Sequence, residues 1–177
     1  MTYRQFGNNT LFRGLSPGRP VIIKFAEQIG IDASTMIPEF RDDGYLPEGL
    51  HVATVGEVTF RFGTKTPRRQ RLALRLRRWI ELARAVSAKR IFVDGSFVTA
   101  KPVPNDVDAV VWLPDDFVQR VSDGQPEAIE LEAMLLTRHP EEIFAAEDRR
   151  DWDDWLEFFC GTREADGRRK GLVEIEL

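Results

Sequence analysis

The sequence predicts an α+β domain built on a small mixed β-sheet, and three observations carry that expectation. A strongly amphipathic helical pattern covers residues 67–86, two short apolar strands follow over 90–93 and 106–112, and an alternating run closes the C-terminus. A chain of 177 residues with 42% hydrophobic residues can bury one sizeable core. The formal charge of −4 gives no overall pull toward nucleic acid or a membrane surface, although the charge is unevenly spread. The single cysteine, Cys160, excludes an intrachain disulfide and a cysteine-rich zinc site, and it suits a reducing, cytoplasmic compartment. No basic segment leads into an apolar run at the N-terminus, and no apolar stretch approaches the roughly 18 residues of a spanning helix. No membrane partner is expected.

Residues 1–35 differ in character from the rest. Asn8-Asn9, Ser16-Pro17-Gly18 and Arg19-Pro20 are turn formers, and only Val21 to Ile31 offers a short element. Met36 opens a passage that reads as the start of the domain, 36–177, so 1–35 is expected to be an extension or the product of an upstream start. Asp42 to Gly49 reads as loop. Thr54 and Glu57 then form a capping box, which predicts a short helix through Phe62 with Gly63 as its stop. Thr66 and Pro67 supply the N-cap and first-turn proline of the next helix. In it Leu72, Leu76, Trp79, Ile80, Ala83 and Val86 recur at spacings of three and four, giving one buried stripe.

The other faces of that helix are basic. Arg68, Arg69, Arg71, Arg75, Arg77, Arg78 and Arg84 are opposed only by Glu81. Such a face is either solvated surface or an electropositive wall for a polyphosphate or RNA. Beyond the two strands, Pro114-Asp115-Asp116 caps a helix from Phe117 to about Val121, and Glu127 to Thr137 forms a core-facing helix ended by His139-Pro140. Glu141 to Ala146 reads as a short strand. An acidic segment from Asp148 to Asp154 follows, anchored by Trp152 and Trp155, and its acids can neutralise the arginine helix within or between subunits. Leu156–Cys160 and Gly171–Leu177 flank an Asp166-Gly167 turn, which predicts a C-terminal β-hairpin whose last arm is an edge strand with Glu174 and Glu176 toward water. His51 and His139 each stand beside a turn, without a serine or cysteine neighbourhood that would suggest a triad.

The chemistry concentrates between Lys89 and Leu113. Arg90 to Val93 breaks at Gly95-Ser96, whose backbone N–H groups and hydroxyl can face a phosphate. After nine intervening residues come Asp106 and Asp108. On a strand, residues i and i+2 share a face with Cα atoms about 6.6 Å apart. Two carboxylates at about 4 Å repel by about 4 kcal/mol at an effective dielectric of 20, which a divalent cation would relieve. The competing reading is that Asn105 and Asp106 merely cap a turn. Asp94 is either a further ligand or a turn cap.

Phe92-Val93-Asp94-Gly95-Ser96 followed by Asp106-Val107-Asp108 resembles the nucleotidyltransferase superfamily, polymerase-beta-like and of the minimal type: a hydrophobic strand ending in Gly-Ser, a short spacer, then Asp-x-Asp on the next strand. More narrowly, Met36 to the C-terminus is similar to a small, largely uncharacterised prokaryotic family of nucleotidyltransferase-like proteins. The similarity rests on Ile37-Pro38-Glu39-Phe40, Leu46 to His51, Val93 to Lys101, Leu156-Glu157-Phe158-Phe159 and Lys170-Gly171-Leu172-Val173, and it covers about four fifths of the chain. It implies a sheet with helices mainly on one face, and transfer of a nucleoside monophosphate from an NTP to a hydroxyl of a protein or RNA acceptor. Asp106 and Asp108 would hold Mg2+ or Mn2+, Gly95, Ser96 and Lys101 would bind phosphate, and Glu142, with Glu174 as rival, would be the third carboxylate. Phe97-Val98-Thr99 depart from the basic and small residues that many active members carry after Gly-Ser. The alternative is a catalytically inactive interaction module with a protein partner or as a homodimer, for example in a toxin–antitoxin or phage-defence pair.

Overall fold

The structure, a computed structural model, describes residues 37–137, 142–162, 164 and 167–177. The expectations placed on residues 1–35, on His139-Pro140 and Glu141, and on Asp166 lie outside the described residues. Within them the elements run β1 (Gly49–Ala53), α1 (Val55–Gly63), α2 (Pro67–Ala85), β2 (Arg90–Asp94), a 3-10 turn (Ser96–Val98) and β3 (Asp108–Trp112). They continue with α3 (Phe117–Ser122), α4 (Pro126–Leu136), β4 (Glu142–Ala146), α5 (Arg149–Cys160) and β5 (Gly171–Ile175). The five strands form one mixed sheet in the order β1-β5-β2-β3-β4. β1 runs parallel to β5, and β3 parallel to β4. β2 is antiparallel to both its neighbours. None of the described helices is long and apolar enough to cross a membrane.

Local chemistry accounts for the helices. Both halves of the capping box at Thr54 and Glu57 are present on α1, and Thr66 caps α2, which begins at Pro67. The α2 stripe of Leu72, Leu76, Trp79, Ile80 and Ala83 is buried. With α1, α3 and α4 it covers Ile91, Val93, Ala109, Val111, Ile143, Val173 and Ile175 on one face of the sheet. The opposite face carries Phe92, Val110, Ala146 and Leu172 and is covered by Trp152, Phe159 and Cys160 of α5. Trp152 packs edge-on to Phe92 at 5.1 Å and stacks on Trp112 at 5.8 Å. The helices thus lie mainly on one face, with α5 alone among the described helices on the other.

Three expectations are corrected. No C-terminal β-hairpin of two strands forms, because Leu156–Cys160 belongs to α5. Trp152, Trp155, Leu156, Phe159 and Cys160 recur at helical spacing, a period hidden when the acidic run is read as a separate segment. What survives of the hairpin is a pair of backbone hydrogen bonds: Lys170 N–H donates to the Cys160 carbonyl at 2.7 Å and Thr162 N–H to that of Arg168 at 2.9 Å. Second, β5 is an interior strand buried on both faces, and Glu174 bonds Arg90 twice at 2.6 Å. Third, the acids of α5 do not neutralise the arginine helix within the chain. Asp148 caps its own helix, Asp153 pairs with Arg149 at 2.8 Å, and the sheet separates α5 from α2.

Strand β1 is an element that sequence reading missed, since it begins at the glycine of Pro47-Glu48-Gly49, read as loop, and leads straight into a capping box. Its junction with β5 requires glycine at 171. A Cβ there would stand 2.1 Å from the Pro47 carbonyl oxygen and 2.7 Å from Nε2 of His51. That His51 nitrogen itself lies 2.8 Å from the Pro47 carbonyl, which gives the histidine a structural place.

Candidate functional site

Strand register assembles the site. Asp94, the last residue of β2, lies opposite Asp108, the first of β3, and Asp108 in turn lies opposite Glu142, the first of β4. Because alternate residues share a face, these three acids stand on the α5 side of the sheet with Phe92, Val110 and Phe144. Asp106 precedes the strand rather than lying on it. Its Oδ1 accepts from both the backbone N–H and the hydroxyl of Ser96 at 2.7 Å. The Ser96 oxygen accepts in turn from the N–H groups of Asn105 at 2.7 Å and Asp106 at 3.2 Å. The Gly-Ser turn and the aspartate loop are thereby one bonded unit.

Gly95 makes that closeness feasible. It has φ +83°, and a Cβ on it would stand 3.0 Å from the Asp108 nitrogen and 3.1 Å from the Asp106 carbonyl oxygen. The loop between β2 and β3 is fixed from outside by the arginine helix. Arg69, only 4% exposed, donates to the carbonyls of Phe62, Phe97, Thr99 and Lys101 at 2.6–3.0 Å. Arg68 donates to those of Pro104 and Asn105. Elsewhere on α2, Arg78 pairs with Glu81 and Glu130, and Arg84 donates to the Glu176 carbonyl at 2.9 Å. Those four arginines make packing, pairing and loop-anchoring contacts, while Arg71 and Arg77 of the same helix are exposed.

The unit floors a cleft of about 720 Å3. Asp94, Gly95, Ser96, Lys101, Asp106 and Asp108 line it, with the Asp42–Tyr45 loop and Phe158, Phe159, Gly161 and Thr162 as further walls. Lys101 is exposed there. Glu142 lines a smaller neighbouring depression of about 150 Å3 with Leu135, Thr137 and Trp155. Glu174 stands at the level of Phe92 on the other side of β2, held by Arg90.

The electrostatics are dominated by negative charge. Burial, then the neighbouring carboxylates of Asp106, Asp94 and Glu142, push the Asp108 carboxyl up from 3.8 to about 7, with Lys170 opposing. Asp94, 3% exposed, is also raised, chiefly by burial. Lys170 binds both its oxygens, at 2.6 and 2.7 Å. Sequence reasoning missed Lys170 as a site residue. It enters the cleft from the start of β5, 76 positions away from Asp94, and no local pattern announces such a partner.

The donor set can be tested against a hard divalent cation. Asp106 and Asp108 are oxygen donors on the same cleft floor, and the surplus of carboxylates around Asp108 is the charge distribution that such an ion relieves, so the residues fit. Among the described residues no group of three or more acid, histidine or cysteine side chains is gathered in a ready ligand cage. A pair completed by substrate oxygens and water is the usual arrangement for magnesium. Cys160 is buried, and burial first of all raises its thiol, as befits a packing residue.

Comparison with known proteins returns a single kind of match. Neither a curated protein nor a solved structure matches the chain. A family model does, over residues 38–176, which spans the whole described sheet and the cleft. The chain therefore belongs to the family of unknown function DUF6932.

Proposed function

We propose that the cleft is a nucleotide site and that the protein is a metal-dependent nucleotidyltransferase, moving a nucleoside monophosphate from an NTP to a hydroxyl of a protein or RNA acceptor. The observation that carries the reading is the juxtaposition of the Gly95-Ser96 turn with Asp106 and Asp108 on the floor of one cleft, the acids continued by Glu142 in strand register. In this reaction the acceptor oxygen bonds to the α-phosphorus, the bond to the bridging oxygen breaks, and pyrophosphate leaves. Asp106 and Asp108 would hold the cation, Mg2+ or Mn2+. When bound, that ion neutralises phosphate charge and polarises the phosphoryl group. Gly95 seats the Ser96 turn on the aspartate loop, the exposed Lys101 offsets charge on the leaving group, and Glu142, beside Asp108 in strand register, takes the acceptor's proton.

The test is calorimetry of the full chain with ATP and magnesium, beside Asp106→Asn/Asp108→Asn. Magnesium-dependent binding is expected in the wild type and not in the double variant, with labelled nucleotide appearing on an acceptor. Absence of nucleotide and metal binding in the wild type would refute the proposal.

A second reading has its own observation. The Ser96 N–H and hydroxyl are committed to Asp106, and Lys170 is committed to Asp94, which suits a fold retained for a protein partner without catalysis. That reading requires biological activity to survive the double substitution.

A further inference from the structure

We propose that Phe158 is a nucleobase-stacking surface, so that the cleft takes a nucleotide by its base as well as by its phosphates. This rests on reading the cleft as a nucleotide site and adds the part of the ligand that the acidic floor does not address. Phe158 is 69% exposed, although it sits on the last turn of a helix whose other aromatic residues are buried or half-buried. It lines the same cleft as Ser96, Asp106 and Asp108. The lining of the cleft thus combines carboxylate and hydroxyl groups with an aromatic ring, the two chemistries that the phosphates and the base of a nucleotide call for.

The ring is braced. Trp155 meets it edge-on at 5.9 Å and 87°, and Phe159 at 5.1 Å and 90°. A ring held perpendicular to two neighbours loses little freedom when a planar ligand settles on it. The volume of about 720 Å3 lies within the range of ligand clefts and admits a nucleotide. An exposed aromatic on a convex surface would suggest a protein contact; one on the wall of a cleft shared with acids suits a small planar ligand.

The experiment compares ATP with inorganic tripolyphosphate, each with magnesium, binding to the full-length wild type, Phe158→Ala and Phe158→Tyr by calorimetry. Phe158 is exposed, so the variants are expected to melt with the wild type, and thermal melts verify it. Stacking predicts that Phe158→Ala weakens ATP about 5- to 100-fold, leaves tripolyphosphate unchanged, and is rescued by tyrosine. Unchanged ATP affinity in Phe158→Ala, or equal loss for both ligands, overturns the stacking proposal alone. If the wild type binds neither ligand, the nucleotide reading of the cleft falls with it.

Discussion

Removing Lys170 isolates the strongest electrostatic feature of the cleft. The lysine is 12% exposed and its partner Asp94 5% by side chain, with two contacts of 2.6 and 2.7 Å. In Lys170→Met the Asp94 carboxylate stays buried next to Asp106 and Asp108 with no compensating cation from this pair. Breaking a buried pair on one side costs about 3–5 kcal/mol. For a domain of this size that lowers the melting temperature by about 10 °C. Adding Asp94→Asn removes the orphaned charge, and the double variant is expected to return to within about 1 kcal/mol of wild type, since replacing both partners is often near neutral. pH sharpens the test. Burial already raises the Asp94 carboxyl, and Lys170 opposes that rise. Without the lysine the folded-state value climbs further above the unfolded one, so the penalty is absent where Asp94 is protonated in both states and grows as pH rises from about 4. Chemical denaturation of wild type, both single variants and the double variant, at pH 5 and pH 8, gives the coupling energy. A Lys170→Met variant within about 0.5 kcal/mol of wild type at pH 8, or a double variant no more stable than that single one, would refute the reasoning.

Two further outcomes follow from the same geometry. Gly95→Ala is expected to destabilise by about 2–4 kcal/mol, from its φ of +83° and Cβ contacts of 3.0–3.1 Å with backbone of the aspartate loop, and to abolish nucleotide binding; a melt and a calorimetric titration check both. Asp108→Asn is expected to stabilise the metal-free protein above pH 7 and to do little near pH 4. The rise of that carboxyl from 3.8 to about 7 in the folded state corresponds to a ceiling of about 4 kcal/mol, or about 2 once solvent screening of a half-open group is allowed for. Stability of the wild type therefore falls through this window as pH rises, and a wild-type-minus-variant difference that does not change between pH 4 and 8 in chelator would contradict it.

Local chemistry made much of this molecule legible. The capping box at Thr54 and Glu57, the Thr66-Pro67 start and the three-four spacing from Leu72 to Ala83 act within one or two helical turns, so α1 and α2 could be read almost to the residue. Gly95-Ser96 and the aspartates after it were read together only through the resemblance of their spacing to a known motif, the residues alone leaving a turn cap equally open.

The tertiary structure alone decided the rest. Whether Leu156–Cys160 paired as a strand or packed as a helix depended on an apolar face of the sheet to receive Trp152 and Phe159. β5 became interior because β1, a strand hidden between the Pro47-Glu48 loop and the capping box at Thr54, pairs along its outer edge. The row of Asp94, Asp108 and Glu142 exists only through the register of three strands, and Lys170 reaches Asp94 only because β5 lies beside β2. Hydrogen-bond registers between distant segments leave no local trace in composition or period, which is why the sequence showed the aspartate pair while the fold supplied its neighbours.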